Sequence, residues 1–378
     1  MTIINLRKTV ISKNFGKSKL IDGKRMLSFS DNDYLGLSRH EKIKETMIEA
    51  VKSFGCASAP LYLTGYTEKH KQFEEKISHF LKTEKTILFS SAYAANLAAI
   101  TTLANKYSII IHDKLNHRSL FDAASLSGAQ FVRYEHNNMI SLEKTLQKYA
   151  GKENKNNIII ICDGVFSMDG DIASLPKIIQ LKNQYNSQLM IDDAHGFAHI
   201  GYGKGVLEHY HIDPDEVDLI SSTLSKGMGI SGGFLTGKSA WIERIEQKAA
   251  TYIFSCSLMP IFPAAGLIGL EIIQTQPYLF KKLKLLTDYL KSKIEQINLP
   301  LIQSKTAIQP LLLKNTKRTY DYSVFLYRKG VFVAPICYPV VPEGLGRLRI
   351  TITANHDKND IDLLIDLLSQ AKEEIDDE

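Results

Sequence analysis

The chain has 378 residues, with 46 Lys and Arg against 41 Asp and Glu and a formal net charge of +5. Hydrophobic residues make up 44% and charged residues 23%, which excludes a disordered chain and leaves room for two domains and a large buried core. The basic residues are scattered, without a stripe of interleaved aromatics, and no apolar run is long enough to span a bilayer, so neither a nucleic-acid nor a membrane partner is expected.

The first 25 residues lean basic (Arg7, Lys8, Lys13, Lys17, Lys19, Lys24, Arg25) but are poor in Ser and Ala, so residues 1–40 read as an arm rather than a transit peptide. Strand-like bursts follow at Ser108–His112, Asn157–Cys162, Gln188–Ile191 and Asp218–Ile220, each short, aliphatic and closed by polar or glycine residues, as buried parallel strands are. Helical periodicity fills 69–82, 92–105, 116–127 and 174–185. This alternation predicts an α/β domain over 41–265 with a mostly parallel central sheet flanked by helices. Residues 266–297 read as one long helix. Strands near 310–313, 330–334 and 347–352, with helices at 320–329 and 358–372, predict a smaller α+β domain over 266–378. The four cysteines (Cys56, Cys162, Cys256, Cys337) are widely spaced with no C-x-x-C, which points away from a zinc site or disulfide framework and towards a reducing, cytoplasmic setting.

Ligands of open α/β sheets bind beyond the carboxyl ends of the strands, and the residues leaving these strands are polar: Asp113 to His117, Asp163 to Asp171, Asp192 to His195 and Thr223 to Lys226. Three motifs in this region compete for attention. Gly227, Gly229 and Gly232 satisfy G-x-G-x-x-G, and Gly232–Ser239 satisfies the P-loop spacing G-x-x-x-x-G-K-S. Gly233-Phe234-Leu235-Thr236 reads as a strand, which argues against a phosphate-binding loop in either pattern and favours a β-turn-β followed by a helix. A P-loop nucleotidase is kept as the rival from another class. His195 and His199, spaced i, i+4 behind Asp192 and Asp193, suggest a metal pair, but a strand end and Gly196 interrupt any helix there; two separate roles are expected and no metal.

Several blocks in order resemble the α-oxoamine synthases, a branch of the fold-type-I pyridoxal-phosphate enzymes: Ser28–Leu37, Leu115-Asn116-His117-Arg118-Ser119-Leu120, Val165–Asp171, Asp192-Asp193-Ala194-His195-Gly196, Thr223-Leu224-Ser225-Lys226-Gly227 and Arg347–Thr351. The resemblance implies pyridoxal 5'-phosphate held as a Schiff base by Lys226, whose amine later moves protons. It also implies that Asp192, rather than its neighbour Asp193, keeps the pyridine nitrogen protonated. His195 is matched to the phenolic oxygen and His117 to the ring face. Ser167 and Thr223 are matched to further contacts, and Ala92 and Tyr93 to phosphate binding at a helix start, where many relatives carry Gly and Phe.

For the substrate, the resemblance assigns Arg349 to the amino-acid carboxylate, Arg7 to the acyl substrate and Val340 to a position where some relatives carry Thr. Cys256 falls near an expected Thr that reaches the partner subunit's phosphate, with Ser255 or Ser257 as substitutes. The block Gly55–Gly65 has fewer glycines than many relatives. The expected activity is an acyltransferase reaction: decarboxylative condensation of L-alanine with a pimeloyl thioester, on coenzyme A or acyl carrier protein, on the way to biotin, in a homodimer with the site at the interface. Condensation of glycine or serine with another acyl-CoA is the alternative within the family.

Overall fold

In the computed structural model, residues 9–150 and 157–376 are described; Arg7 lies outside them. The chain divides into two units, one of residues Asp33–Ser167 and Asp171–Phe280, the other drawn from Met1–Asn32, Met168–Gly170 and Lys281–Glu378.

The second unit opens with an antiparallel meander, β1 (Ile11–Asn14), β2 (Ser18–Ile21) and β3 (Lys24–Ser28). Asp22 and Gly23 both adopt positive φ (48° and 75°) between the paired ends Ile21 and Lys24, the two-residue turn whose twist suits a hairpin.

The Asp33–Phe280 unit is built on seven strands: β4 (Lys85–Phe89), β5 (Ser108–Asp113), β6 (Gln130–Tyr134), β7 (Asn157–Asp163), β8 (Gln188–Asp192), β9 (Leu219–Thr223) and β10 (Gly233–Gly237), in the order β4-β10-β9-β8-β7-β5-β6. β5 to β9 pair in parallel, and β10 runs antiparallel to both neighbours, so the sheet is mostly parallel as expected. One sheet face carries Ile87, Ile110, Ile159, Ile161, Met190, Leu219 and Leu235. Helices α1 (Ala92–Leu103), α2 (Arg118–Leu126) and α3 (Ser239–Lys248) cover it. Each such aliphatic side chain contributes about 1.5–3 kcal/mol when buried. α1 presents Ala95, Ala98 and Ala99 to this core. Small side chains let it lie close to the sheet, with its N-terminus beside the strand ends.

β10 overturns the P-loop alternative. The span Gly232–Ser239 is a central strand followed by α3, and Lys238 Nζ pairs with Asp218 Oδ1 at 2.8 Å instead of standing over an open anion loop. Gly229 (φ 69°) and Gly232 (φ 122°) serve the turn between β9 and β10, where a side chain would be strained. The expected single helix over 266–297 is two helices, Ile261–Thr275 and Tyr278–Gln296. Pro277 lies between them, without an N–H to donate and with a ring that blocks the preceding turn.

The second unit closes with β11 (Ile308–Lys314), a two-residue β12 (Val331–Phe332) parallel to β3, β13 (Pro335–Ile336) and β14 (Gly346–Thr351), ordered β11-β14-β13. Helices Thr316–Arg328 and Lys358–Asp376 accompany them. Among the described residues no helix is long and apolar enough to cross a membrane.

Candidate active site

Strands β5, β7, β8 and β9 end in Asp113, Asp163, Asp192 and Thr223. Beyond these ends lies a cavity of about 190 Å³ whose lining includes Lys226, Asp192, His195, His117, Ser167, Thr223, Ala92 and Tyr93. The structure thus brings together all the site residues the sequence placed on this unit. The two others it describes, Arg349 and Val340, belong to the second unit.

Asp192 is 3% exposed and fully engaged: its Oδ1 accepts the Ala194 N–H at 3.0 Å and its Oδ2 accepts Asn96 Nδ2 at 2.7 Å. The same amide group reaches Ser119 Oγ (2.9 Å), which stands 2.7 Å from His117 Nδ1. A polar chain therefore runs from His117 through Ser119 and Asn96 to Asp192 and fixes the carboxylate's direction. Asp193 is engaged elsewhere. Its Oδ2 accepts the Val206 N–H (2.9 Å), and its carboxyl is wrapped by Gly164, Gly196 and Gly205, where a Cβ would come within 2.5, 1.9 and 1.8 Å of it. Burial pushes its pKa up to about 8. It lines a separate cavity of about 520 Å³ that contains none of the predicted site residues.

Asp163 sits opposite Asp192 in the β7–β8 register and lines the same small cavity. Both its oxygens lie 3.2 Å from the His117 N–H. Burial, then the neighbouring Asp192 charge, pushes its pKa well above the carboxylate range, which favours the neutral form of Asp163. His117 is open to solvent on one side, but desolvation of its ring lowers its pKa; Asp192 opposes that shift and Lys226 adds to it. The imidazole is neutral at pH 7.

The phosphate-binding expectation rests on α1. It begins at Ala92, and Ser91 Oγ accepts the Ala94 N–H at 3.1 Å. The N–H groups of Ala92 and Tyr93 belong to the first turn, which has no intrahelical acceptors for them. Gly233 keeps β10 tight against this point: a Cβ there would lie 2.3 Å from Ala92 N. The Tyr93 hydroxyl donates to Asp122 Oδ2 (2.6 Å), and Arg118 Nε donates to its other oxygen (2.7 Å). Thr223 Oγ1 donates to the Gly232 carbonyl (3.2 Å) and contacts Ser225 Oγ at 2.8 Å, which places it on the Lys226 loop.

His136 and Asn137, which the sequence reading did not single out, tie the loops together. His136 Nδ1 lies 2.9 Å from Asp113 Oδ1 and its Nε2 lies 3.1 Å from Asp171 Oδ2. The Asn137 N–H donates to Asp113 Oδ2 (2.7 Å) and its side-chain amide donates to Asp171 Oδ2 (3.2 Å). Asp113 Oδ1 also accepts the Leu115 N–H (2.8 Å), at the start of the loop that carries His117. Burial opposes a charge on His136, but the two carboxylates outweigh it and raise its pKa to about 9. Because the folded value lies above that of the unfolded chain, the stabilisation is complete below about pH 6.5. It is lost as pH rises through about 9. Thermal melting across this range is expected to show a steeper alkaline loss in the wild type than in His136→Gln; parallel curves would remove the charged clip.

The His195–His199 spacing holds an aromatic ring. Tyr34 stacks on His199 (centroids 3.8 Å, 12°) and its hydroxyl lies 2.6 Å from His195 Nδ1. In the second unit, Arg349 is buried and directs Nη1 and Nη2 to Asn32 Oδ1 (3.1 Å each), while Arg347 pairs with Asp169. Val340 is 55% exposed. Ser255 and Cys256 are exposed and Ser257 is buried, with its Oγ close to where a Gly65 Cβ would stand. Residues Leu61–Gly65 form a turn of π-helix.

Residues 24–368 match the model of the family described as aminotransferase class I and II. The chain is 39% identical over 347 residues to 8-amino-7-oxononanoate synthase of Petrotoga mobilis, covering 91% of this chain and 88% of that protein. Among solved structures it is similar to a serine palmitoyltransferase variant from S. paucimobilis with a bound PLP–myriocin aldimine (TM-score 0.92, 25% identity, 97% of this chain and 92% of that one). It is also similar to 8-amino-7-oxononanoate synthase from Francisella tularensis (TM-score 0.79, 25% identity, 91% and 97%).

Proposed function

The chain belongs to the aminotransferase class I and II family and, within it, to the pyridoxal-phosphate-dependent 8-amino-7-oxononanoate synthases, and from that premise we propose that it condenses L-alanine with a pimeloyl thioester, releasing carbon dioxide and the thiol and giving 8-amino-7-oxononanoate for biotin synthesis. The observation that carries this reading is the meeting of Lys226, Asp192, His117, His195 and the α1 N-terminus around one small cavity at the strand ends. That donor set fits the cofactor group by group: an amine for its aldehyde, an oriented carboxylate for its ring nitrogen, and first-turn amides for its phosphate. When bound, pyridoxal phosphate supplies a carbonyl that condenses with amines and an electron sink for the bond broken at the amino acid's Cα.

The protein's own groups do the rest. Lys226 Nζ would hold the cofactor and, once displaced by the amine of alanine, would be free to take the Cα proton. Asp192, beside an Asp163 that burial drives towards its neutral form, would present its carboxylate to the ring nitrogen. The neutral His117 covers the ring face, and its backbone N–H is spent on Asp163. His195 donates to the phenolic oxygen, and Ser167 adds a further polar contact. Thr223, Ala92 and Tyr93 would hold the phosphate. Arg349 receives the alanine carboxylate as a planar fork, with Asn32 already spanning its two terminal nitrogens. Arg7 is assigned to the acyl substrate and Val340 to the substrate site. A homodimer with the site at the interface is what the resemblance implies for the assembly.

The test is a product assay on cofactor-loaded protein, whose mass by light scattering is expected to be that of a dimer. Alanine, glycine and serine are each offered with pimeloyl and other acyl thioesters. Mass spectrometry is expected to find 8-amino-7-oxononanoate as the preferred product. Preference for glycine with an acetyl thioester would replace this reading with another α-oxoamine synthase.

A further inference from the structure

Tyr34 sits in the segment before the first helix of the larger unit and is completely buried. Its phenol oxygen lies 2.6 Å from Nδ1 of His195, 161 residues away in sequence. Two contacts fix that meeting. The Tyr34 ring stacks on His199 at 3.8 Å and 12°, and His199 Nδ1 donates back to the His195 carbonyl at 2.6 Å. The residue that seats the phenol therefore also pins the backbone of the histidine the phenol addresses.

Two glycines next to Lys226 extend the arrangement. At Gly227 a Cβ would lie 2.2 Å from the Ala198 carbonyl oxygen, and at Gly229 it would lie 2.4 Å from Ser38 N. The Lys226 loop is packed without clearance on the His195–His199 turn on one side and on the Tyr34 segment on the other.

A short hydrogen bond between a phenol and an imidazole nitrogen is favoured from O–H to nitrogen, because the imidazole nitrogen is the stronger acceptor. With Nδ1 accepting, the imidazole proton resides on Nε2. We infer that Tyr34 is a positioning residue that sets the tautomer of His195, seated by His199, so that His195 presents an N–H rather than a lone pair to the phenolic oxygen of the cofactor. This rests on the assignment of the cavity to pyridoxal phosphate. The i, i+4 histidines that resemble a metal pair are thus the two ends of a clamp on a tyrosine.

Tyr34→Phe keeps the ring on His199 and removes only the hydroxyl. In that variant, loaded with pyridoxal phosphate, His195 is released to the other tautomer, and its N–H to the phenolic oxygen is lost. The ratio of visible to near-ultraviolet cofactor absorbance is expected to fall roughly tenfold, the size expected for one charge-assisted hydrogen bond. A ratio equal to the wild type's in a variant that melts normally overturns the inference. If the variant does not fold, ¹⁵N-histidine spectra of the loaded wild type decide, with His195 assigned by its loss in His195→Asn: a protonated Nε2 is expected, and a protonated Nδ1 overturns the inference. A wild type that takes up pyridoxal phosphate without any visible band overturns the cofactor assignment itself, a result distinct from an unchanged Tyr34→Phe spectrum.

Discussion

Lys226→Ala is expected to lose the visible cofactor band and to lower kcat by about 10³-fold, within the range observed when a positioned proton-transfer group is removed. The loss should be one of chemistry more than of fold. Lys226 is only part-buried, and backbone hydrogen bonds help to hold its loop: the Gly229 N–H donates to the Lys226 carbonyl at 2.9 Å, and Leu224 N–H donates to the Gly232 carbonyl at 2.9 Å. Alanine preserves both. Melting close to wild type, together with lost turnover, is therefore the expected pattern. A variant that still binds the cofactor as a visible chromophore and turns over at the wild-type rate would sink the lysine assignment.

Asp192→Asn is expected to lower kcat by about 10²–10³-fold, as when one preorganised electrostatic partner of the reacting group is removed. It should also weaken cofactor binding. Both carboxylate oxygens already accept, from the Ala194 N–H and from Asn96 Nδ2. An asparagine amide must turn a donor towards one of those donors. Asp163→Asn is the matched control. Asp163 is already driven towards its neutral form by burial and by the Asp192 charge, so replacing a neutral acid by a neutral amide should cost less than about tenfold. Equal losses at the two positions would mean that the negative charge is not concentrated on Asp192.

The legible part of this fold is the part buried on both faces. β7 reads as Asn-Ile-Ile-Ile-Ile-Cys-Asp because every residue after Asn157 is covered, and β5, β8 and β9 follow the same rule. The edge strand β6 is harder to read: with one neighbour and partial exposure along its length, Gln130-Phe131-Val132-Arg133-Tyr134 shows neither a continuous apolar run nor a strict polar–apolar alternation. The single helix expected over 266–297 failed at Pro277, a breaker that an otherwise continuous apolar period concealed.

At the site, Lys226, Asp192, His195, His117 and Thr223 stand out as polar residues leaving strand ends, and the resemblance to the α-oxoamine synthases is what assigns their roles. Asn96 and Ser119 carry none, since each sits inside a helix and becomes meaningful only through its 2.7 and 2.9 Å contacts. Asp163 was visible as a polar strand end, but not as the partner of Asp192, because register between strands is a long-range property. Tyr34 and His136 belong to the same class: their roles depend on partners in segments that meet only when the sheet has formed.

The most direct measurement of the central assignment is borohydride reduction of the protein loaded with pyridoxal phosphate, followed by peptide mass mapping. The expected result is a single phosphopyridoxyl adduct on the peptide containing Lys226, absent from Lys226→Ala. An adduct on another lysine, or none in a protein that makes the product, would contradict the placement of the cofactor at the end of β9.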